Sequence, residues 1–168
     1  VLAAIAARTS RIKLGTAVTV LRSAATLRDT ARFATLDAIS NGRAEIPLGR
    51  GSFIESFPLF GYDLKDYETL FSEKLDLFAA VRREQPFSWS GTVRAPLENA
   101  DVHPKTVGGS ITTWIGVGGT PESVVRAARY GFPMMLAIIG GDPARFAPYA
   151  DLYRRALADL GTPELPIG

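Results

Sequence analysis

The residues best suited to chemistry in this sequence lie where a β-branched run meets a helix start, within residues 111–123. Gly118 and Gly119 end the run, Thr120 has the position of a helix N-cap, and Pro121 that of the first helical residue. A helix leaves its first N–H groups unpaired, and glycines without a Cβ let a ligand approach them. The segment therefore indicates either an anion site at a helix N-terminus or a plain strand-to-helix turn.

A second candidate is Arg50, which stands between Gly49 and Gly51 after an apolar run. A guanidinium flanked by glycines can reach an anion with little steric hindrance, although a surface arginine in a turn has the same pattern. His103, the only histidine, precedes Pro104 in a loop-like stretch and is more typical of a bystander than of a catalytic base. We therefore predict no metal site and leave the catalytic residues unassigned.

The elements that must position these residues form four strand-helix units. Strands are predicted over 11–21, 43–49, 111–117 and 132–139, and helices over 26–40, 64–83, 120–130 and 143–160. This alternation indicates an α/β fold with a parallel sheet, either an open doubly wound sheet or a barrel. A complete barrel needs eight strands and about 250 residues. Residues 85–110 form an excursion from the strand-helix alternation, with a short hairpin predicted over 87–94 followed by a loop.

Composition sets further bounds. The chain has 168 residues, of which 46% are hydrophobic and 21% charged, so we expect one domain over 1–168. A net charge of +2 without a dense basic run argues against nucleic acid as a partner. The absence of cysteine excludes disulfides and thiolate chemistry. No signal peptide or membrane-spanning run is visible, so no membrane partner and a cytoplasmic location are expected, and a start at Val1 suggests a piece of a longer protein.

Six short motifs, in this order, resemble those of the bacterial-luciferase-like flavin monooxygenases. They are LGTAVTVL at 14–21, TLDAISNGR at 35–43, LGRG at 48–51, FG at 60–61, GGTPES at 118–123 and AARYGFPMM at 127–135. The likeness runs over essentially the whole chain. That family has a TIM barrel, so the resemblance implies a partial barrel of about four strand-helix units, roughly the third to the sixth, in place of an open sheet.

The resemblance also implies a cofactor, FMN, at the carboxyl ends of the strands. The positions that match the family's cofactor contacts are Arg50, Gly119, Thr120 and Ser123 for the phosphate, Ala17 and Val18 for a non-proline cis peptide that supports the flavin ring, and Ile138 and Ile139 for bulky groups beside that ring. Tyr67 and Glu68 stand where luciferases have a second phosphate-binding arginine. A deazaflavin in place of FMN is an open alternative.

The implied activity is that of a monooxygenase that oxygenates a small organic substrate through reduced flavin and oxygen, with a flavin reductase as a further partner. The luciferase catalytic histidine would precede Val1, and the family's mobile lid would follow a later strand. Two other readings stay open. One is a flavin-binding module without catalysis, and the other is a half-barrel that assembles with another copy, because open strand edges invite pairing. We expect a homo-oligomer.

Overall fold

The computed structural model describes residues 1–21, 26–51 and 55–168, so part of the connection between the predicted strand at 43–49 and the predicted helix at 64–83 lies outside this description. The α-helices are α1 (Leu2–Ala6), α2 (Thr26–Ser40), α3 (Ser56–Leu59), α4 (Tyr67–Val81), α5 (Pro121–Tyr130) and α6 (Ala147–Asp159). The strands are β1 (Thr19–Val20), β2 (Glu45–Gly49), β3 (Phe87–Trp89), β4 (Leu97–Ala100), β5 (Thr112–Val117) and β6 (Met134–Leu136). Short 3-10 turns at Leu64–Asp66 and Pro143–Phe146 precede α4 and α6.

The chain divides into two compact units. The first contains Val1–Ile46 and Arg50–Thr112, and the second contains Pro47–Gly49 and Thr113–Gly168. Strand β2 therefore contributes residues to both, and the strand order of the main sheet is β1-β2-β5-β6. The expectation of a single domain stays a prediction.

The first strand is much shorter than the predicted range of 11–21. Leu14 makes a parallel bridge with Ala44, and the ladder then resumes at β1. Between these points the hydroxyls of Thr16 and Thr19 hydrogen-bond to each other at 2.7 Å, and Ile12 before them is 52% exposed. The sequence predicted one continuous strand, but only the segments at Leu14 and at Thr19–Val20 pair with a neighbouring strand.

Buried Arg43 organises the start of the first unit. Its Nη2 donates to the carbonyls of Ala6 and Thr9 at 2.9 and 2.8 Å, and its Nη1 donates to the carbonyl of Ile12 at 2.9 Å. Its Nε donates to the carbonyl of Ser40 at 2.8 Å. One guanidinium thus satisfies carbonyls at the end of α1, in the loop that follows it and at the end of α2, which fixes where β2 begins.

The excursion at 85–110 contains an antiparallel pair in which Phe87 lies opposite Ala100 and Trp89 opposite Leu97. The hairpin predicted over 87–94 is therefore too short, because its second strand lies at 97–100. Residues 92 and 93 turn instead toward α4, where the carboxylate of Glu73 accepts their backbone N–H groups at 2.7 and 3.0 Å.

In the second unit β5 and β6 are parallel, with Ile115 opposite Met134 and Val117 opposite Leu136. The predicted strand 132–139 shortens to β6 because the chain turns just beyond it. The N–H of Ile138 bonds back to the carbonyl of Leu136 at 3.1 Å, which ends the ladder. Helices α5 and α6 pack against each other in this unit. The prediction of an α/β fold with a parallel sheet is confirmed.

Candidate functional site

The 118–123 turn links β5 to α5, as the sequence predicted. Thr120 occupies the N-cap position in an extended conformation (φ −116°, ψ 138°), and Pro121 is the first helical residue. Gly119 has φ +105°, a conformation that side-chain-bearing residues rarely adopt. A Cβ added at Gly118 would meet no atom within 4 Å, so the backbone there faces open space. The turn therefore has the shape and accessibility that an anion site at a helix N-terminus requires.

The two hydroxyls of the turn bond to each other. Thr120 Oγ1 donates to Ser123 Oγ at 3.0 Å, and Ser123 Oγ donates to the carbonyl of Thr120 at 2.7 Å. Thr120 therefore makes no side-chain cap on a backbone N–H of α5, although its residue type and position predict one. Pro121 has no N–H, and the Ser123 N–H donates to the carbonyl of Thr120 at 3.1 Å, so the N–H groups of Thr120 and Glu122 are the candidates for an anion at this helix start.

Tyr149, on α6, holds the peptide that precedes the N-cap. Its hydroxyl donates to the carbonyl of Gly119 at 2.5 Å, and its ring comes within 3.8 Å of the place where a Gly119 Cβ would lie. The cis peptide bonds of the described residues lie elsewhere, so the bond from Gly119 to Thr120 is trans and its N–H points away from its C=O. Tyr149 therefore turns the Thr120 N–H away from α6.

Sequence reasoning missed Tyr149. A weak signal was present, since Tyr149 and Tyr153 are four residues apart and lie on one face of a helix. Tyr153 is fully buried and donates to the carbonyl of Phe132 at 2.7 Å. Burial raises the pKa of Tyr153 to about 12. The two tyrosines bind carbonyls on either side of α5, one before its start and one after its end, so α6 fixes both ends of that helix.

Arg50 lies in the first unit and is not free of partners. Its Nη1 lies 2.5 Å from Oε1 of Glu68, and its guanidinium carbon lies 5.6 Å from the ring centroid of Tyr67. Its side chain is 29% exposed. Gly51 has φ +70°, and a Cβ there would come within 2.9 Å of Val20, so this glycine is required for packing as well as for access. Tyr67 and Glu68, which replace the expected second arginine, thus contact the first one.

The remaining predicted residues have different surroundings. The Ala17-Val18 peptide bond is cis, as the resemblance implied, and Ala17 is exposed. Ile138 is 39% exposed and Ile139 is 93% exposed, and both lie outside β6. His103 is an exposed side chain whose Nε2 lies 3.0 Å from the carboxylate of Asp101. The roles of Ala17, Val18 and Ile138 toward a cofactor stay predictions.

Comparison of the sequence and of the structure with known proteins assigns the chain to a protein family. The sequence matches the luciferase-like monooxygenase family over residues 1–167. A monooxygenase from Streptomyces bottropensis, RslO1, has 27% identity and a TM-score of 0.88, with 99% of this chain and 51% of that chain covered. The chain therefore spans about half the length of this relative.

Two more distant structures show the fold. One is the oxygenating constituent of 3,6-diketocamphane monooxygenase from Pseudomonas putida in complex with FMN, with 17% identity, a TM-score of 0.78, and coverage of 97% of this chain and 49% of that chain. The other is the coenzyme F420-dependent tetrahydromethanopterin reductase from Methanopyrus kandleri, with 23% identity, a TM-score of 0.77, and coverage of 96% and 49%.

These neighbours are luciferase-like TIM-barrel proteins, and the parallel sheet and helices of this chain are consistent with part of such a barrel. The prediction of a partial TIM barrel is confirmed. The protein is thus of the α/β-barrel class, and the chain belongs to the luciferase-like monooxygenase family.

Among the residues that the structure describes, none of the helices combines the length and the apolar composition of a membrane-spanning segment. Within the same residues, no group of three or more histidine, aspartate or glutamate side chains is placed to hold a metal ion.

Proposed function

We propose that this chain binds the phosphate of a flavin at the 118–123 turn and forms part of an FMN-dependent monooxygenase. Its substrate would be a small organic molecule, oxygenated through reduced flavin and oxygen. The observation that carries the proposal is the hydrogen bond from Tyr149 to the carbonyl of Gly119, which directs the Thr120 N–H away from α6. Membership of the luciferase-like family supports the flavin chemistry.

The chemistry of the turn supports a phosphate as its ligand. Gly118 offers open space beside the backbone, and the start of α5 offers N–H groups and the positive end of a helix dipole. A phosphate oxygen would accept from the Thr120 N–H and from the Thr120 hydroxyl once that hydroxyl releases Ser123. Ser123, which is buried, would then keep the turn in shape through its bond to the Thr120 carbonyl.

We assign to Arg50, in the first unit, a charged contact with the flavin phosphate. A guanidinium can bind a phosphate with two parallel hydrogen bonds, which makes it a stronger partner than a neutral donor. Glu68 competes for it, because its carboxylate is already within 2.5 Å of Nη1. Both side chains are partly exposed, and such pairs contribute only about 0–1 kcal/mol. A phosphate can therefore displace Glu68 from Arg50 or share Arg50 with it.

The flavin, when bound, supplies the redox chemistry, and the chain contributes binding and orientation. We assign contacts with the flavin ring to Ala17 and Val18 and, more peripherally, to Ile138. A substrate-contacting base is not assigned.

A deazaflavin is the alternative cofactor. Coenzyme F420 is named for the reductase from Methanopyrus kandleri, whereas FMN is named for the monooxygenase from Pseudomonas putida. Parallel titrations with FMN and with coenzyme F420 would separate the two, since a site built for one should bind it at least tenfold more tightly.

Three partner proposals accompany this function: a small-molecule substrate, a flavin reductase and a second copy of the chain. Turnover with reductase, oxygen and bound flavin separates an enzyme from a flavin-binding module, which would bind flavin without consuming it. Sedimentation separates the homo-oligomer from a monomer, and a clean monomer would remove the proposal of assembly with another copy.

The test of phosphate binding is a titration with FMN and with riboflavin, which lacks the phosphate, followed by the fluorescence of the flavin or of Trp114. Arg50→Ala should weaken FMN roughly 10- to 100-fold and leave riboflavin unchanged, because a hydrogen bond to a charged group contributes about 1.5–3 kcal/mol. Thr120→Val should weaken FMN by about fivefold, since one hydroxyl contact contributes about 1 kcal/mol.

The matched controls are Arg154→Ala, which removes an exposed arginine on α6, and Thr112→Val, which removes an exposed hydroxyl at the start of β5. Neither should alter the ratio of FMN to riboflavin affinity. If Arg50→Ala and Thr120→Val also leave the ratio unchanged, the phosphate is bound elsewhere.

A further inference from the structure

Tyr149 orients the start of α5, but the position of its own ring also has to be fixed. Tyr149 is half-buried on α6, whereas Tyr153, one turn further along, is fully buried. A half-buried tyrosine can adopt more than one staggered rotamer, and the other rotamers take its hydroxyl away from the carbonyl of Gly119. The hydrogen bond at 2.5 Å therefore requires surroundings that favour one rotamer of Tyr149.

Phe146 is a neighbour with suitable geometry. It ends the 3-10 turn Pro143–Phe146 and lies three residues before Tyr149. Side chains three positions apart on a helical segment share one face, and long side chains lean back toward the N-terminus, which brings the Tyr149 ring toward Phe146. The two ring centroids are 6.0 Å apart, and the ring planes are tilted by 55°. Tilted aromatic pairs at this spacing attract each other beyond the effect of their buried area.

The ring of Phe146 also borders the 118–123 turn. A Cβ added at Gly119 would lie 4.0 Å from Cε1 of Phe146 and 3.8 Å from both Cε2 and the hydroxyl oxygen of Tyr149. Both rings therefore lie on the side of Gly119 where other residues carry a side chain. Phe146 thus borders both the donor residue and the acceptor residue of the hydrogen bond.

The 3-10 turn that carries Phe146 is fixed by its own cap. Oδ1 of Asp142 accepts from the Ala144 N–H at 2.9 Å, and the carbonyl of Asp142 accepts from the Arg145 N–H at 3.2 Å. Pro143, the first residue of the turn, restricts its own φ. The backbone of Phe146 therefore has a defined position, and the chain continues from it directly into α6.

We propose that Phe146 is a positioning residue for the 118–123 turn. Its ring restricts Tyr149 to the rotamer that reaches the carbonyl of Gly119, and this bond directs the Thr120 N–H away from α6. Ordering a side chain before a ligand binds removes an entropic cost from the binding step. The inference rests on the proposed phosphate site, to which it adds a residue that acts through Tyr149 and not on the phosphate itself.

The test measures the hydrogen bond in the whole chain without any flavin. The carbon-13 NMR shift of the Gly119 carbonyl moves upfield when a hydrogen bond to that carbonyl is lost. Phe146→Ala should move this shift in the same direction as Tyr149→Phe. Phe146→Leu, which keeps apolar bulk beside the Tyr149 ring, should recover most of the difference. An unchanged Gly119 carbonyl shift in a folded Phe146→Ala variant would overturn the inference.

Flavin titrations show whether Phe146 acts through Tyr149. Phe146→Ala should lower FMN affinity by up to the roughly 3- to 10-fold expected of Tyr149→Phe, with riboflavin unchanged. The double variant should bind FMN no more weakly than Tyr149→Phe alone, because both residues act through one hydrogen bond. Additive losses in the double variant would contradict the inference.

The carbonyl shift and the flavin titration separate two failures. A Gly119 carbonyl shift that moves while the ratio of FMN to riboflavin affinity stays constant would support the positioning role of Phe146. The same result would contradict phosphate binding at the 118–123 turn. The failure of the proposed function is therefore distinguishable from the failure of this inference.

The matched control is Tyr130→Ala, at the other end of α5. Tyr130 also belongs to an aromatic pair, with a distance of 6.0 Å between its ring centroid and that of Phe132. Its removal should lower the melting temperature without moving the Gly119 carbonyl shift or changing the ratio of FMN to riboflavin affinity.

Far-ultraviolet circular dichroism checks that each variant is folded. If Phe146→Ala does not fold, nuclear Overhauser effects in the unaltered chain still decide the question. The ring protons of Phe146 should show such effects to the ring protons of Tyr149 and to the Hα protons of Gly119. Their absence would overturn the inference.

Discussion

The 118–123 turn in the second unit and the glycine-flanked Arg50 in the first unit are each candidates for phosphate binding, yet their structures differ in kind. In the turn, the carbonyl of Gly119 is held by Tyr149 and the hydroxyls of Thr120 and Ser123 bond within the turn. Around Arg50, a partly exposed positive charge is balanced by the carboxylate of Glu68. The turn offers donors fixed by the backbone, while Arg50 offers a charge that is shared with a competitor.

This difference predicts two kinds of sensitivity. Donors that are fixed by the backbone depend on conformation and on the groups that hold it, and little on salt. A partly exposed charge pair depends on its partner and is screened by salt, with a Debye length of about 8 Å at physiological ionic strength. Variants in the turn should therefore leave the salt dependence of the Arg50 contact unchanged, and variants around Arg50 should leave the conformation of the turn unchanged.

The largest effect is expected from Gly119→Ala. A side chain at φ +105° costs of order 1–3 kcal/mol, whatever space surrounds it. Urea unfolding should show this loss, and FMN selectivity over riboflavin should fall with it. The control is Gly118→Ala, where the added Cβ meets open space and stability should change by less than about 0.5 kcal/mol. Equal stability of the two variants would contradict a conformational role for Gly119.

Tyr153→Phe removes a hydrogen bond at the end of α5 and leaves Tyr149 at its start, so it should lower stability without changing the orientation of the 118–123 turn. It leaves the Phe132 carbonyl without its hydroxyl donor and should cost roughly 1–3 kcal/mol of unfolding free energy. Its effect on the ratio of FMN to riboflavin affinity should be small. Lost selectivity in a folded Tyr153→Phe variant would show that the anchoring itself governs the turn.

The raised pKa of Tyr153 predicts that the free energy of unfolding depends on pH above about 10. Its folded-state pKa, about 12, exceeds the ordinary value of 10.0, so its stabilising contribution is complete below pH 10 and is lost as the pH rises from 10 through 12. The free energy of unfolding of the unaltered chain should fall over this interval. The Tyr153→Phe variant should lack that component, and identical alkaline profiles would count against the assignment.

Tyr149→Phe is expected to act on binding more than on folding. Its hydroxyl orients the Thr120 N–H, and a neutral hydrogen bond contributes about 0.5–1.5 kcal/mol, so FMN affinity should fall about 3- to 10-fold with riboflavin unchanged. A parallel loss for both ligands would indicate general damage to the second unit.

The smallest effect is predicted for Glu68→Gln. Removing the carboxylate frees Arg50 from its competitor, so FMN affinity should rise by a factor of up to about 5, because an exposed pair contributes about 0–1 kcal/mol. The gain should shrink at high salt. Asp151→Asn, at another exposed arginine pair, is the matched control and should change nothing. A loss of FMN affinity in Glu68→Gln would mean that Glu68 positions Arg50.

Local signals predicted the start of α5 correctly. Thr120, Pro121 and, at the end of the helix, Gly131 follow rules that depend on a few neighbouring residues, and the structure has all three in the expected places. The family resemblance predicted the cis peptide at Ala17-Val18, which no local rule would have indicated.

The contacts that shape the candidate site could not be read from the sequence. The bond from Tyr149 to Gly119 joins residues 30 positions apart, and the pair of Arg50 with Glu68 joins residues 18 apart. Strand lengths were overestimated at 11–21 and 132–139, because apolar composition reports burial but not which residues pair in the ladder.

The most direct test of phosphate binding at the turn is the NMR shift of its backbone amides on titration with FMN and with riboflavin. Binding of the phosphate at the 118–123 turn predicts that FMN moves the Thr120 and Glu122 amide protons downfield, as expected for N–H groups that donate to an anion, and that riboflavin does not. Equal shifts from both ligands, or FMN shifts confined to other parts of the chain, would contradict it.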